Sequence, residues 1–273
     1  MFSFLPPRET VINIGMITAI AVMVLLVIIE YRFTLRMVIA AAMSALCTVP
    51  GAVFGETMRK LTYGEWLDMG SMIENFSTYE GTHYLGRVIY TILAAFLLWA
   101  LVMRRKDGAF ARAGRGRFLD ILSVFMGIQA VAGRIGCLSE GCCVGRAHYG
   151  AFSVYNADLG HSVYPAVHTE LVISALTLAA VVILYIKRRK AFPVFCIGYG
   201  TALFTAEFMY DSAGTVKIAG LSAIQILALA LAAFGAIYAY VYRRRPDKYI
   251  NRTDAGKQRK SDKKIQHRRR RNP

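Results

Sequence analysis

Several features are missing from this chain, and each absence removes a class of protein. Cysteine is sparse, five in 273 residues, and never in C-x2-C repetition, so neither a disulfide scaffold nor a zinc-ribbon pattern is present. No stretch shows the roughly ten-residue alternation of a membrane β-strand, which removes the barrel. No internal repeat stands out, and no pair of broken helices marks an inverted-repeat transporter. No lysine lies between Ala219 and Tyr242, so the last apolar segment cannot carry a retinal Schiff base. The first apolar segment is too long for the core of a cleaved signal and has no convincing cleavage site. "SALC", ending at Cys47, faintly resembles a lipobox but follows a complete hydrophobic span. Carboxylates are few as well: 17 Asp and Glu against 33 Lys and Arg, a formal charge of +16.

That surplus is uneven. From Arg243 to the end there are fourteen Lys or Arg against three Asp, a net of +11. Residues 243–273 read as a disordered cytoplasmic tail drawn to anionic lipid headgroups. Nucleic acid is the less natural partner, because the tail directly follows an apolar helix. Residues 1–242 form the membrane part. Apolar residues make up 56% of the chain and the mean hydropathy is +0.42, beyond the ~45–50% apolar content of soluble domains. A helix crossing the hydrocarbon core needs about 20 apolar residues. Seven such runs are legible, at 11–30, 36–54, 85–103, 118–136, 166–186, 192–210 and 219–242. Backbones in lipid must satisfy their own hydrogen bonds, so these runs are helices. The fold class is an all-α polytopic membrane protein of about seven transmembrane helices.

Orientation follows from the short loops. "RRKDGAFARAGRGR" (104–117), "KRRK" (187–190), "EYRFTLR" and the tail are basic and fall on one side. Most loop carboxylates, among them Glu56, Glu65, Asp68, Glu74, Glu80, Glu140 and Asp158, fall on the other. The amino terminus is therefore expected outside and the carboxyl terminus in the cytoplasm. "YGEW" and "FSTYEG" in the 55–84 loop read as short interfacial helices.

Ionisable groups in or beside spans are costly and mark candidate sites. Arg134, in "GRIGCLSEGCCVGR" (133–146), emerges at the outer end of the fourth span. Its planar fork of donors suits a phosphodiester, and a snorkelling arginine is the plain alternative. His83 opens the third span at the same face and suits a general base; an ordinary interfacial histidine would sit there too. Arg87, one turn on, can meet a phosphate or snorkel. Glu170, near a helix amino terminus, is favoured by the dipole. Glu207 is deeper and needs a partner, most naturally an inward-facing arginine. Gly133, Gly136, Gly141 and Gly145 suggest a backbone folded closely around something, such as a headgroup. For Cys137, Cys142 and Cys143 several readings stay open: a disulfide, redox chemistry, metal binding, or small filling of a tight turn, the last preferred. Cys47 and Cys196 read as packing residues. No cofactor or metal is called for.

These motifs resemble the prolipoprotein diacylglyceryl transferase family, whose signature runs GR-[IL]-GN-F-x-NGE-x-x-G. Arg134 falls on the signature arginine and Gly145 on its closing glycine. "FLDILSVFMGIQAVAGR", with Asp120, is similar to the approach to that signature. "YPAVHTEL" is similar to HPxQLYE, keeping Pro165 and Glu170. "YGTALFTAEF" resembles YGxxRFxxEF at Tyr199, Gly200, Phe204, Glu207 and Phe208. "GLSAIQIL" resembles LTMGQIL, keeping Gln225, and "GTHYLGRV" resembles SFHGGLIG, placing His83 on the family's histidine. The resemblance covers most of the membrane region, and the family too has seven spans with the amino terminus outside.

The departures are specific. Cys137 and Cys142 replace the signature asparagine and glutamate, Leu203 replaces a second arginine, and Ile14 stands where the first span has a tyrosine. Val167 and Thr169 replace Gln and Tyr of HPxQLYE. The resemblance implies an enzyme of the bacterial cytoplasmic (inner) membrane that moves the diacylglyceryl group of phosphatidylglycerol to the thiol of a prolipoprotein lipobox cysteine, releasing glycerol phosphate. It implies His83, Arg134, Glu170 and Glu207 as catalytic residues. Headgroup contacts would come from Arg134, Arg87, Arg146, Gly133, Gly136, Gly145, Tyr199 and Gln225. The same architecture with another acceptor, or a non-catalytic lipid- or partner-binding relative, are the alternatives.

Overall fold

The computed structural model describes residues 6–31, 51, 53–55, 57, 60, 64, 84–103, 108–210 and 216–244. The bulk of the expected second span, Cys47, the expected interfacial helices, His83 and the basic tail lie outside the described residues. Six long helices are described: α1 (Arg8–Tyr31), α2 (Tyr84–Met103), α3 (Gly108–Glu140), α4 (Ala166–Ile186), α5 (Phe192–Glu207) and α6 (Ala223–Arg244). They fall on six of the seven apolar runs.

Four of these helices contain segments long and apolar enough to cross a membrane: Arg8–Glu30, Gly116–Glu140, Ala166–Ile186 and Ala223–Val241. Tyr84–Leu97 is a shorter apolar helix. Their surfaces are apolar where a soluble bundle would be polar. Ile14, Ile17, Leu25, Ile29, Leu93, Leu97, Leu176, Ile183 and Ile186 are all exposed, the pattern of helices solvated by hydrocarbon rather than water. The chain is a mostly helical membrane protein.

Lipid supplies no hydrophobic drive between helices, so close packing of small residues does more of the work. A Cβ built on Gly15 would lie 2.2 Å from the Cβ of Ala132, which shows how closely α1 lies on α3. On the other side of the bundle a Cβ on Gly200 of α5 would lie 2.6 Å from the backbone oxygen of Ala228 in α6. Larger side chains fill the centre: Leu122 and Phe125 of α3, with Phe192, Phe195 and Tyr199 of α5, are almost fully buried. The rings of Phe192 and Tyr238 meet edge to face at 5.1 Å.

Two helix starts differ most from the expected ones. The fourth span was read as 118–136, with 104–117 a loop; helix α3 instead runs back to Gly108. The Ala and Arg content of that stretch favours helix enough to outweigh its glycines. The last helix begins at Ala223 rather than 219. Lys217–Ile218 and Leu221–Ser222 form a small antiparallel hairpin, turned through Ala219 and Gly220 at positive φ, as a two-residue turn requires. A second hairpin, Val154–Asn156 paired with His161–Val163, stands in the loop between α3 and α4. Its turn is held by Asn156, whose Oδ1 accepts the backbone N–H groups of Asp158 and Leu159 at 3.0 and 3.1 Å. That is an Asx turn.

Helices α1, α2, α4 and α6 start at one end of the bundle and α3 and α5 at the other, with ion pairs at both ends. At one end Glu30 accepts from Arg188 and pairs with Arg117 at 3.3 Å. Two basic loops thus meet at the same end of the bundle. There Asp120 accepts the N–H groups of Ala191 and Phe192 at 2.7 and 3.0 Å, capping the start of α5 from a neighbouring helix. The other end, where α3 finishes and α4 begins, holds the candidate site.

Candidate functional site

The site grows from the last two turns of α3. Arg134 directs Nε to Oε1 of Glu170 at 2.7 Å. Glu170, near the start of α4, is completely buried, so its carboxylate needs partners on both oxygens. The second oxygen accepts from the hydroxyl of Tyr210 at 3.1 Å. Tyr199 buries its ring and hydroxyl beside Arg134 and Glu170. Its ring packs edge-on against Tyr84 at 5.7 Å. The Tyr84 hydroxyl donates to the Met126 carbonyl at 2.7 Å, and both Arg87 and Arg134 act on it electrostatically. Two arginines, one carboxylate and three tyrosines, from four helices and the end of α5, therefore face one region.

Tyr210 was not singled out in the sequence. It lies three residues beyond Glu207, just past the end of α5, and is held by the chain that follows α3. The N–H of Arg146 donates to the Met209 carbonyl at 2.8 Å, and Gly145 bridges to Tyr210. The approach leaves no room for a side chain: a Cβ on Gly145 would sit 2.1 Å from the Tyr164 oxygen. The closing glycine is a packing requirement that aims a tyrosine at Glu170.

The other expected site residues take various positions. Glu207 was expected to pair with an arginine; instead it accepts from the Ser222 hydroxyl at 3.0 Å, and the arginine goes to Glu170. Gln225 takes part in a reciprocal cap of α6. Its side-chain oxygen accepts the Ser222 N–H at 2.9 Å, while the Ser222 hydroxyl accepts the Gln225 N–H at 3.2 Å. This is a capping box. Arg146 is exposed and lies over the Tyr164 ring at 5.1 Å, with His148 stacked on that ring at 3.8 Å. Gly136 meets Arg8 of α1, while Gly133 has open space around it. Leu203, at the position of the missing arginine, is buried in the core. Ile14 is more than half exposed, on the outward face of α1.

Helix α3 ends at Gly141, whose φ of +70° and N–H bond to the Cys137 carbonyl at 2.9 Å form a left-handed cap. The reversal folds Cys142 and Cys143 back over Cys137, which lies 3.8 Å from a terminal nitrogen of Arg134. All three cysteines are free thiols, and Cys196 is a buried packing residue. The thiols of Cys142 and Cys143 are held above their usual range, chiefly through hydrogen bonding with Cys137. Across the helix end Arg8 pairs with Glu140 at 2.9 Å. A cavity of about 150 Å³ opens beside the cluster, lined by Cys137, Cys143, Asp158, Pro165 and His168 among others.

Chemically, a half-buried guanidinium set against a buried carboxylate and tyrosine hydroxyls at a helix-bundle end suits recognition of an anionic group at a membrane face. A search of curated protein sequences finds no match to this chain. The sequence model of the family described as prolipoprotein diacylglyceryl transferase matches residues 5–241, nearly all of the helical region, and the chain belongs to that family.

Proposed function

We propose that this chain transfers the diacylglyceryl group of phosphatidylglycerol to the cysteine thiol of a prolipoprotein lipobox, at the outer face of the bacterial cytoplasmic membrane. The proposed topology has seven spans, the amino terminus outside, and residues 243–273 as a cytoplasmic tail. The observation that carries the reading is the Arg134–Glu170 pair at 2.7 Å, with the carboxylate fully buried and backed by Tyr210.

In this reading Glu170 and Tyr210 fix the plane of the Arg134 guanidinium through its Nε. Its terminal nitrogens, one of which lies 3.8 Å from the Cys137 sulfur, would turn to the phosphate of the lipid. The acceptor thiol loses its proton, and its sulfur attacks the glycerol carbon that bears the phosphate. That carbon–oxygen bond breaks and glycerol phosphate leaves with the electron pair. Negative charge grows on the departing phosphate, which is where preorganised donors accelerate the reaction. Arg87 adds positive charge to the same region. His83 is proposed as the base for the thiol. Glu207 steadies the start of α6 through Ser222. Gly133, with open space around it, lets the backbone run close to the headgroup, while Gly136 and Gly145 serve by packing against Arg8 and Tyr164.

A second reading is favoured by Leu203, Cys137 and Cys142. An apolar side chain stands in the core where a second cation is missing, and two thiols replace an amide and a carboxylate. The same architecture would then serve another acceptor, or bind lipid without transfer. Membranes carrying the protein, supplied with phosphatidylglycerol and a lipobox peptide, are expected to yield a diacylglyceryl thioether. No product above an Arg134→Ala control would overturn the transfer reading. A lipid change in cells without a lipoprotein change would select the other acceptor.

A further inference from the structure

Nothing in diacylglyceryl transfer requires three converging thiols, yet the end of α3 holds them. The Cys143 sulfur lies 3.6 Å from that of Cys137 and 3.7 Å from that of Cys142, and all three sulfurs lie within 4.8 Å of one another. An ion bonded to three thiolates at about 2.3 Å needs its sulfurs roughly 3.8–4.0 Å apart. Two of the three separations are already within a few tenths of an ångström of that figure, and the third is no more than 4.8 Å. The turn that creates this convergence is held by backbone, through Gly141 at φ +70°, so the cluster is built into the fold.

A disulfide would use two of these sulfurs and leave the third without a purpose. Three are what a soft metal ion uses, since thiolates select copper(I) and zinc over harder cations. Among the described residues no histidine or carboxylate ligand atom joins the group. Zinc held by protein alone takes four ligands almost without exception, whereas a monovalent soft ion is satisfied by three sulfurs. Arg134 and Arg8 both act electrostatically on Cys137, so the excess negative charge of three thiolates around a monovalent ion is met by nearby guanidinium groups. Cys142 is exposed, and the cavity bordered by Cys137 and Cys143 gives an ion a way in.

We propose that Cys137, Cys142 and Cys143 form a three-thiolate site for a soft metal ion, copper(I) in preference to zinc. Each thiol releases its proton to solvent as the ion binds, and no electron is transferred. Metal uptake is read without the transfer reaction, so the two proposals are tested apart although both use Arg134.

The test uses the full chain in detergent, reduced, freed of reductant and kept anaerobic. Copper(I) is titrated against a colorimetric copper(I) chelator, with zinc(II) in a parallel arm. The expected result is a single copper(I) per chain, a thiolate-to-copper absorption in the near ultraviolet, and X-ray absorption showing sulfur neighbours alone at about 2.3 Å. Zinc should be held less tightly. Cys142→Ser combined with Cys143→Ser should abolish uptake, and so should the exposed-site variant Cys142→Ser at chelator concentrations the parent withstands. Cys196→Ser should leave stoichiometry intact. Failure of the fully reduced chain to retain either ion would overturn the site, as would equal retention by the double variant. Tighter binding of zinc would overturn the choice of ion. A Cys137–Cys143 disulfide in the isolated protein, with no uptake after reduction, would assign the cluster to redox chemistry instead.

Discussion

At the scale of single residues the decisive contact is between Arg134 and Glu170. Their chemistry was visible in the chain: an arginine at a span end and a carboxylate in the first turn of a helix. Their pairing was not, because sequence position offered Glu207 as the more natural partner. The structure gives Glu170 the arginine and Glu207 a serine hydroxyl. Glu170→Gln should therefore leave Arg134 without its counter-charge and cost about 3–5 kcal/mol, read as a lowered melting temperature in detergent. Arg134→Lys keeps the charge but loses the fork that joins Glu170 to an incoming phosphate. Loss of such a donor lowers the rate by about 10²–10³, to be measured as thioether formed per unit time with protein level held equal. Tyr210→Phe removes one hydrogen bond to a buried carboxylate, worth about 1.5–3 kcal/mol, and should destabilise less than Glu170→Gln. A larger loss from the tyrosine variant would contradict the arrangement.

At the scale of elements the connections matter more than the helices. The hydrophobic runs announced six of the described helices nearly to the residue at 166–186, and less well where polar sequence adjoins them. The two hairpins were missed, since three- and two-residue strands leave too short a pattern for periodicity to register. They do consequential work. The Lys217–Ser222 hairpin delivers Ser222 to both Glu207 and the cap of α6. Ser222→Ala should cost about 1 kcal/mol for the cap alone, and more in combination because Glu207 loses its donor. Calorimetry of the single variant and of its combination with Glu207→Gln would show non-additive losses if the two share one network. Gly145→Ala places a methyl group against the Tyr164 oxygen and should pull Tyr210 away from Glu170. A variant with parental activity and melting temperature would exclude this role.

At the scale of the whole molecule the evidence is the surface. Apolar side chains cover the outward faces of α1, α2 and α4, while the ion pairs Arg8–Glu140 and Arg134–Glu170 lie at one end of the bundle and Glu30 with Arg117 and Arg188 at the other. With the basic loops inside, an impermeant maleimide should label a cysteine placed at Asp158 in intact cells and spare one placed at Lys187. The reverse pattern would invert the proposed topology. Removing residues 246–273 should weaken attraction to anionic vesicles at low salt, each basic residue near the surface contributing about 1 kcal/mol. The difference should fade as salt rises, because such attraction is screened within a Debye length.

What the sequence alone determined was the solvent and the ingredients. Apolar runs of spanning length can only be helices in lipid, and the polar residues interrupting them were few enough to name as candidates. What the tertiary structure alone decided was who meets whom. Pairing of Arg134 with Glu170, capture of Tyr210 by the Gly145 strand, and convergence of three thiols at the Gly141 turn each depend on close approach of segments distant in the chain or on one left-handed residue. Hydropathy and periodicity report the face a residue shows to its own helix, not the neighbour that another helix brings to it.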